Sequence, residues 1–268
     1  LLPAIAAGQT LISLALQEGS HHAPQHSVLS ATLVEGNYIL DGTKLMVLDA
    51  VAAETFIVIA RTSGTAGEEQ GLSAFLVDAG TAGLTVDRRI LVDSRSAGAL
   101  VCDNVRIPAA NLLGASGTAW AGLNRALDIA NIGLASELLG VSTEVFERTI
   151  AYLQERKQFG HVIGSFQGLQ HRAAELFAEL ELARSIVLQA LHAIDDGDPA
   201  LSLIASAAKA KLCEVAQRAT NEAIQMHGGI GMTDEYEIGF FIKRARVVQH
   251  TFGDYNYHLD RFARLSGF

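Results

Sequence analysis

The apolar residues of this chain change their spacing near Gly117, and that change divides it into two differently built parts. Beyond it, Leu123, Leu127, Ala130, Leu134, Leu138, Val141 and Val145 step by three and four residues. At 3.6 residues per turn this spacing lines one face of a helix. The pattern predicts a first helix reaching about Glu155, long for a globular protein. Phe166, Leu169, Ala173, Leu176, Leu180, Ala183 and Val187 mark a second, from Ser165 to about Ile194. Asp195-Asp196-Gly197-Asp198-Pro199 stops it and restarts the chain: Gly lies just past the end, Asp caps and Pro opens the next turn. A third helix is expected from Ala200 to about His227, rich in small residues that let neighbours approach closely. A fourth is expected over about Tyr236 to Gln249. Long helices with short connections pack as an antiparallel four-helix bundle.

Before the change, residues 1 to about 115 read as β-rich. Candidate strands are Leu11–Leu16, Ser27–Leu33, Asn37–Leu40, Lys44–Leu48, Thr55–Ala60, Leu72–Val77, Leu84–Asp87 and Ala99–Val105. Asp41-Gly42 is a hairpin-turn dipeptide between the third and fourth of these. Ser63 to Gln70 reads as a polar surface loop, and Pro108 punctuates the end. Short strands separated by turn signals predict a small β-barrel or sandwich. The expected class is therefore α+β, with a β domain over 1–115 and a helical bundle over 116–268.

The totals exclude several functions. With 268 residues, 49% hydrophobic and 18% charged, the chain has apolar mass for two packed domains and is no disordered tail. A net charge of −9 without a basic run argues against nucleic acid. No apolar run approaches membrane-spanning length, and Leu1 to Leu16 has neither a basic start nor a cleavage signature. Cys102 and Cys213 stand alone, as expected of buried thiols in a reducing cytoplasm. A chain opening Leu-Leu-Pro-Ala, without Met, reads as a fragment.

Two stretches carry chemistry. Arg156-Lys157-Gln158-Phe159-Gly160 ends the first helix. Its Arg offers a planar fork suited to phosphate, Phe159 can pack on a flat ring, and Gly160 permits a sharp turn. Gln225-Met226-His227-Gly228-Gly229-Ile230-Gly231 follows the third helix. Backbone N–H groups without side chains in the way can hold an anion or an amide-bearing ring. Each alone also fits an ordinary helix end; both at helix ends of one bundle point to a ligand. His21, His22 and His26 cluster in a loop at a spacing that matches no helical metal motif. His171 reads as a core or interface residue. A His250–Asp254 dyad lacks a nucleophile in a fitting elbow.

In this combination and order the chain resembles the acyl-CoA dehydrogenase family over essentially its whole length. The resemblance rests on Glu155-Arg156-Lys157-Gln158-Phe159-Gly160, on Phe166-Gln167-Gly168-Leu169-Gln170-His171, on Gln225 to Thr233, on Asp41-Gly42-Thr43-Lys44 and on Asp103 to Pro108. It implies FAD bound between two subunits and oxidation of an acyl-CoA to its 2,3-enoyl form, with a Glu as base. It places Arg156, Gln158, Phe159, Gln167, Gln225, Gly228 and Gly229 on the half of the site that one subunit donates to its neighbour's flavin. Full members begin with a further helical domain, absent from this stretch.

The departures from the family pattern fall on the other half. The base position reads Phe252, and a second position used by some members reads Ala130, followed by Asn131 where Arg is usual. The family's Thr-Glu-Pro reads Gln17-Glu18-Gly19, a flavin-facing Thr or Ser reads Leu48, and the Thr after the base reads Asp254. The resemblance with these departures implies a non-catalytic subunit of a hetero-oligomer, such as α2β2. Its partner would carry the Glu and hold most of the acyl-CoA, a steroid-CoA among the candidates by analogy. The alternatives are an active enzyme using Asp254, Glu18 or His250 as base, and a scaffold without a flavin.

Overall fold

In the computed structural model, which describes residues 1–268, the first unit, Leu1–Asn124, opens with a short helix, α1 (Leu2–Ala6). Eight strands follow: β1 (Ile12–Ala15), β2 (Ser30–Val34), β3 (Asn37–Leu48), β4 (Thr55–Arg61), β5 (Leu72–Asp78), β6 (Leu84–Ile90), β7 (Ser96–Pro108) and β8 (Leu112–Leu113). β6, β7, β3 and β2 form one run, and β4, β5 and β8, with β1 beside β4, form another. A single residue pair, Ser30 with Arg61, joins β2 to β4. The path does not close into a barrel; of the two expected forms the sandwich-like one stands. Leu40, Val47, Phe56, Val58, Phe75 and Leu100, drawn from both runs, share one buried core. The rings of Tyr38 and Phe75 meet across it at 4.8 Å.

The hairpin expected at Asp41-Gly42 is a correction. β3 continues through both residues along β7, with a register shift between Leu40 and Gly42. Gly42 has φ +137°, and a Cβ there would come within 3.0 Å of Leu29 Cα. The turn is Glu35-Gly36, with φ +49° and +76°, joining Val34 to Asn37. Those left-handed angles belong to a two-residue hairpin turn. An Asp-Gly pair suits a bulge as well as a turn, so the dipeptide alone does not decide between them.

Arg61 organises the loops of this unit. Its guanidinium donates to the carbonyls of Gln25 (2.7 Å), Ser27 (2.9 Å), Gln70 (3.0 Å), Glu68 (3.1 Å) and Ser63 (3.4 Å). Two loops that have no ladder partners are thereby satisfied from inside.

The second unit, Arg125–Phe268, is helical. α2 (Trp120–Glu155) begins in the first unit and crosses into it. A small hairpin, β9 (Lys157–Gln158) with β10 (His161–Val162), leads to α3 (Gln167–Asp195), α4 (Leu201–His227), α5 (Ile238–His250) and α6 (Tyr255–Leu265). Ile132, Leu138 and Val145 of α2 share a core with Leu176 and Leu180 of α3, Ala205, Ala208, Leu212 and Ala216 of α4, and Val248 of α5. The Asp-Gly-Asp-Pro stop works as read: Asp198 Oδ1 accepts from Ala200 N at 2.7 Å.

Three expectations change here. α6 was not foreseen; Asp254 caps it by accepting from Tyr257 N at 3.0 Å. α2 is long and apolar enough to span a membrane by length and composition, although no such run was expected. Its apolar face instead serves the helical core, with charges such as Arg125 and Asp128 interspersed. His171 is exposed near the start of α3, which removes the core reading and leaves the interface one.

Candidate functional site

α2 ends where Arg156 N still bonds to Tyr152 O (2.9 Å), and Ile163 N returns to Arg156 O (2.8 Å), closing the hairpin. Its two-residue loop is Phe159-Gly160, with φ +55° and +78°. A left-handed phenylalanine is strained. This one is also 88% exposed, with its ring edge-on to Phe166 at a centroid distance of 6.4 Å. Gly164 lets the chain fold back, since a Cβ there would stand 2.8 Å from Leu153 O. The Arg156 side chain is exposed and has no hydrogen-bond or ion-pair partner in the chain. Gln158 is exposed and donates to the Lys157 carbonyl at 2.9 Å. Gln167, also exposed, opens α3.

α4 ends at Gly228, φ +66°, and passes into a tight turn over Gly228–Met232. Gly231 is required by packing, since a Cβ would meet Ile224 O at 2.9 Å and the His227 Cβ at 3.0 Å. Gly229 is different: nothing lies within 4 Å of its Cβ position, so its backbone faces open space. Gln225 is exposed beside it.

The hairpin and the glycine turn meet through a contact that the sequence did not reveal. Tyr152, one helical turn before Arg156, stacks on His227 with ring centroids 4.3 Å apart and planes 28° apart. Tyr152 Oη also donates to the His227 carbonyl at 3.4 Å, and Tyr236 packs beside both rings, 5.1 Å from the imidazole and 6.3 Å from Tyr152. His227 Nδ1 lies 2.7 Å from Ala223 O, which makes it the protonated nitrogen. Burial pulls the imidazole below its usual range despite that bond, so it is neutral at pH 7. The stack ties the end of α2, with Arg156 just beyond it, to the end of α4, with Gly228 and Gly229 just beyond it, and the two ends make one wall.

The positions expected to face a flavin ring or supply a base are occupied otherwise. Glu18 accepts from Ser27 Oγ (2.7 Å), Val28 N (2.7 Å), Leu29 N (3.0 Å) and Lys44 Nζ (2.5 Å). Burial alone would raise its carboxyl, but the Lys44 charge and these bonds outweigh burial and hold it below the usual range. Its lone pairs are committed to structure, which removes it as a base. A cavity of about 270 Å³, lined by residues including Gln17, Glu18, Gly19, His21, His22 and His26, lies beside Glu18. Asp254 is committed to capping α6, and His250 is exposed at the end of α5. Phe252 has φ +54° in the α5–α6 turn. Ala130 is half-buried on α2, and its neighbour Asn131 is buried.

Comparison with known proteins places both halves in one family. Residues 16–105 match the family model described as "Acyl-CoA dehydrogenase, middle domain", and residues 116–266 match "Acyl-CoA dehydrogenase, C-terminal domain". The chain belongs to the acyl-CoA dehydrogenase family. It is 34% identical over 230 residues to the mitochondrial short/branched chain specific acyl-CoA dehydrogenase of Bos taurus, covering 85% of this chain and 53% of that one. Butyryl-CoA dehydrogenase from Megasphaera elsdenii superposes with a TM-score of 0.93 at 27% identity, over 99% of this chain and 70% of that one. The Tcur3481–Tcur3483 steroid ACAD gives 0.87 at 30% identity, with the same coverage. This family member therefore spans little more than half the length of its bovine relative.

Proposed function

We propose that this chain is a subunit of an FAD-dependent acyl-CoA dehydrogenase complex, lending its helical unit to a partner's flavin and carrying no base of its own. One contrast carries the reading. The Arg156–Gly229 wall presents an unpartnered cation, a strained exposed aromatic and open glycine backbone. Both base positions of the family hold side chains that accept no proton, Phe252 and Ala130.

The wall fits the phosphate-bearing end of FAD in its donor set. Arg156 has a free planar fork for paired phosphate oxygens. Phe159 offers a ring face in place of solvent. The Gly228 N–H is engaged by the last carbonyls of α4, Ile224 and Gln225, which leaves the open backbone at Gly229, without a Cβ, to approach the ligand. The amides of Gln158, Gln167 and Gln225 can meet polar edges from both sides. When bound, FAD supplies the hydride acceptor for α,β-dehydrogenation of an acyl-CoA thioester. A base and most of the acyl-CoA contacts would come from a catalytic partner chain, as in an α2β2 assembly. Likeness to the Tcur3481–Tcur3483 steroid ACAD supports a steroid-CoA as the substrate of the complex.

The test is to express the chain alone and with a neighbouring acyl-CoA dehydrogenase chain, then count flavin and assay turnover. The lone chain should be inactive, and the complex should carry one flavin for every two chains. Arg156→Ala should empty the complex of flavin. A lone chain that holds one flavin and oxidises acyl-CoAs refutes the proposal. A colourless, inactive complex refutes it in favour of a scaffold.

A further inference from the structure

Lys209 lies in the middle of α4 with no exposed surface. No carboxylate comes within ion-pair distance of it. Its Nζ donates instead to Thr251 O (2.7 Å), Gly253 O (3.1 Å) and Asn131 Oδ1 (3.4 Å). The carbonyl between the first two, Phe252 O, lies 3.1 Å from Nε2 of His258, which is equally buried. Three successive carbonyls of the α5–α6 turn therefore meet buried side-chain nitrogens. The turn needs such support. It follows the end of α5, where carbonyls lose their helical partners. It also holds Phe252 at φ +54° and Gly253 at φ +106°. A Cβ on Gly253 would strike Tyr257 Cδ1 at 2.4 Å and His258 Nε2 at 2.8 Å.

We propose that Lys209 is the positioning residue of this turn, fixing Phe252 through the main-chain carbonyls on either side of it, with Asn131 as its companion. The two places where the family keeps a base, Phe252 and the α2 site beside Asn131, are tied together by this one side chain. The inference needs only the fold of the helical unit and stands whether or not the flavin reading holds.

The arrangement tolerates either charge state of the amine. An ammonium has three N–H groups for three oxygens. A neutral amine keeps two, matching the two carbonyls, and turns a lone pair toward Asn131. The Asn131 amide can rotate to answer it with Nδ2–H. Burial pulls Lys209 down to about 8, against the opposing influence of Cys213 and Asp254. Of the titratable groups around it, Cys213 on the same helix is pushed up to about 11 by burial. Asp254 is engaged as the α6 cap, and His258 of α6 holds Phe252 O. On α2, Asp128 is paired with Arg261 at 2.7 Å and accepts from Ser202 at 2.5 Å.

Opening the turn returns the amine to water, where its ordinary pKa of 10.5 applies. The open form then binds more protons than the closed one, so the closed form gains as pH rises through about 8. The gain approaches tenfold per pH unit, reaches about 150-fold by pH 10.5 and levels off at about 300-fold above it.

Hydrogen exchange of the intact chain tests this, reading the peptide over Thr251–Tyr257 against α3 peptides and corrected for intrinsic rates. In the wild type, the opening constant of the turn should fall as pH rises from 8 to 10. Lys209→Met should abolish that slope and speed exchange of the turn at least tenfold, leaving α3 unchanged. Asn131→Asp, which sets a carboxylate beside the amine, should move the onset up by more than one pH unit. A slope that survives Lys209→Met, or a turn as protected as in the wild type, overturns the proposal. Should Lys209→Met fail to fold, an onset unmoved by Asn131→Asp overturns it equally.

Discussion

Replacing Lys44 by Met strips Glu18 of its counter-charge inside the first unit. Lys44 has no exposed side-chain surface and Glu18 is 15% exposed. Breaking a buried pair by removing one member costs about 3–5 kcal/mol, because the survivor stays charged and desolvated. Glu18 would keep the donors of Ser27, Val28 and Leu29, which places Lys44→Met near the lower end, about 3 kcal/mol. The reverse change, Glu18→Gln, leaves the ammonium with Leu16 O at 3.2 Å and Ser27 Oγ at 2.7 Å. Lys44 would then escape by losing its proton, which from 10.5 to pH 7 costs about 4.8 kcal/mol and sets a ceiling. The double variant should lose about 2 kcal/mol less than the sum of the singles, the two groups being in contact. Urea unfolding followed by fluorescence of Trp120, the one tryptophan and a member of the first unit, reads this directly. The pH dependence has a definite sign. Because the Glu18 carboxyl is held below 4.5 in the fold, its contribution is present above that value and lost as pH falls through the lowered one. Lys44→Met should therefore bring acid unfolding of this unit to a higher pH. Single variants that each cost under about 1 kcal/mol, or that add to the double, would refute the reasoning.

Two further outcomes are expected in the helical unit. Gly231→Ala should cost about 1–3 kcal/mol in thermal unfolding read at 222 nm, since the Ile224 carbonyl at 2.9 Å cannot yield without moving α4. Gly229→Ala, with open space at its Cβ, should leave stability within about 0.5 kcal/mol of wild type. His227, held below 6.5 by burial, supports the wall above that value and loses its contribution as pH falls through the lowered one. Proteolysis within Gly228–Met232 should accelerate as pH falls below 6.5, and His227→Phe should remove that acceleration.

What the sequence showed and what it hid follow from range. α3 and α4 were placed within two residues because their apolar stripes repeat over many turns and a capped Asp-Gly-Asp-Pro stop divides them. The sharp turn at Gly160 and the glycine turn at Gly228 were legible because glycine marks them locally, but the two-stranded hairpin around Phe159-Gly160 was not. α6 was missed because its opening residue, Asp254, was taken for a group at a chemical site when it caps a helix. Asp41-Gly42 misled because one dipeptide serves two backbone geometries. The Tyr152–His227 stack joins residues 75 apart, and the Lys209 clamp reaches residues 42 and 44 away. No periodicity carries such pairings, and they are what turn separate motifs into a wall and a locked turn.

Arg61 invites a comparison with covalent cross-links. It ties Gln25 to a residue 36 positions along the chain and gathers Ser63, Glu68 and Gln70 to the same point. A disulfide restricts an unfolded chain by closing a loop, whereas this clasp exists only once the strand beneath it has formed. Both cysteines are free thiols. The loops of the first unit thus owe their order to a staple that a reductant cannot open, and that the chain must rebuild whole each time it folds.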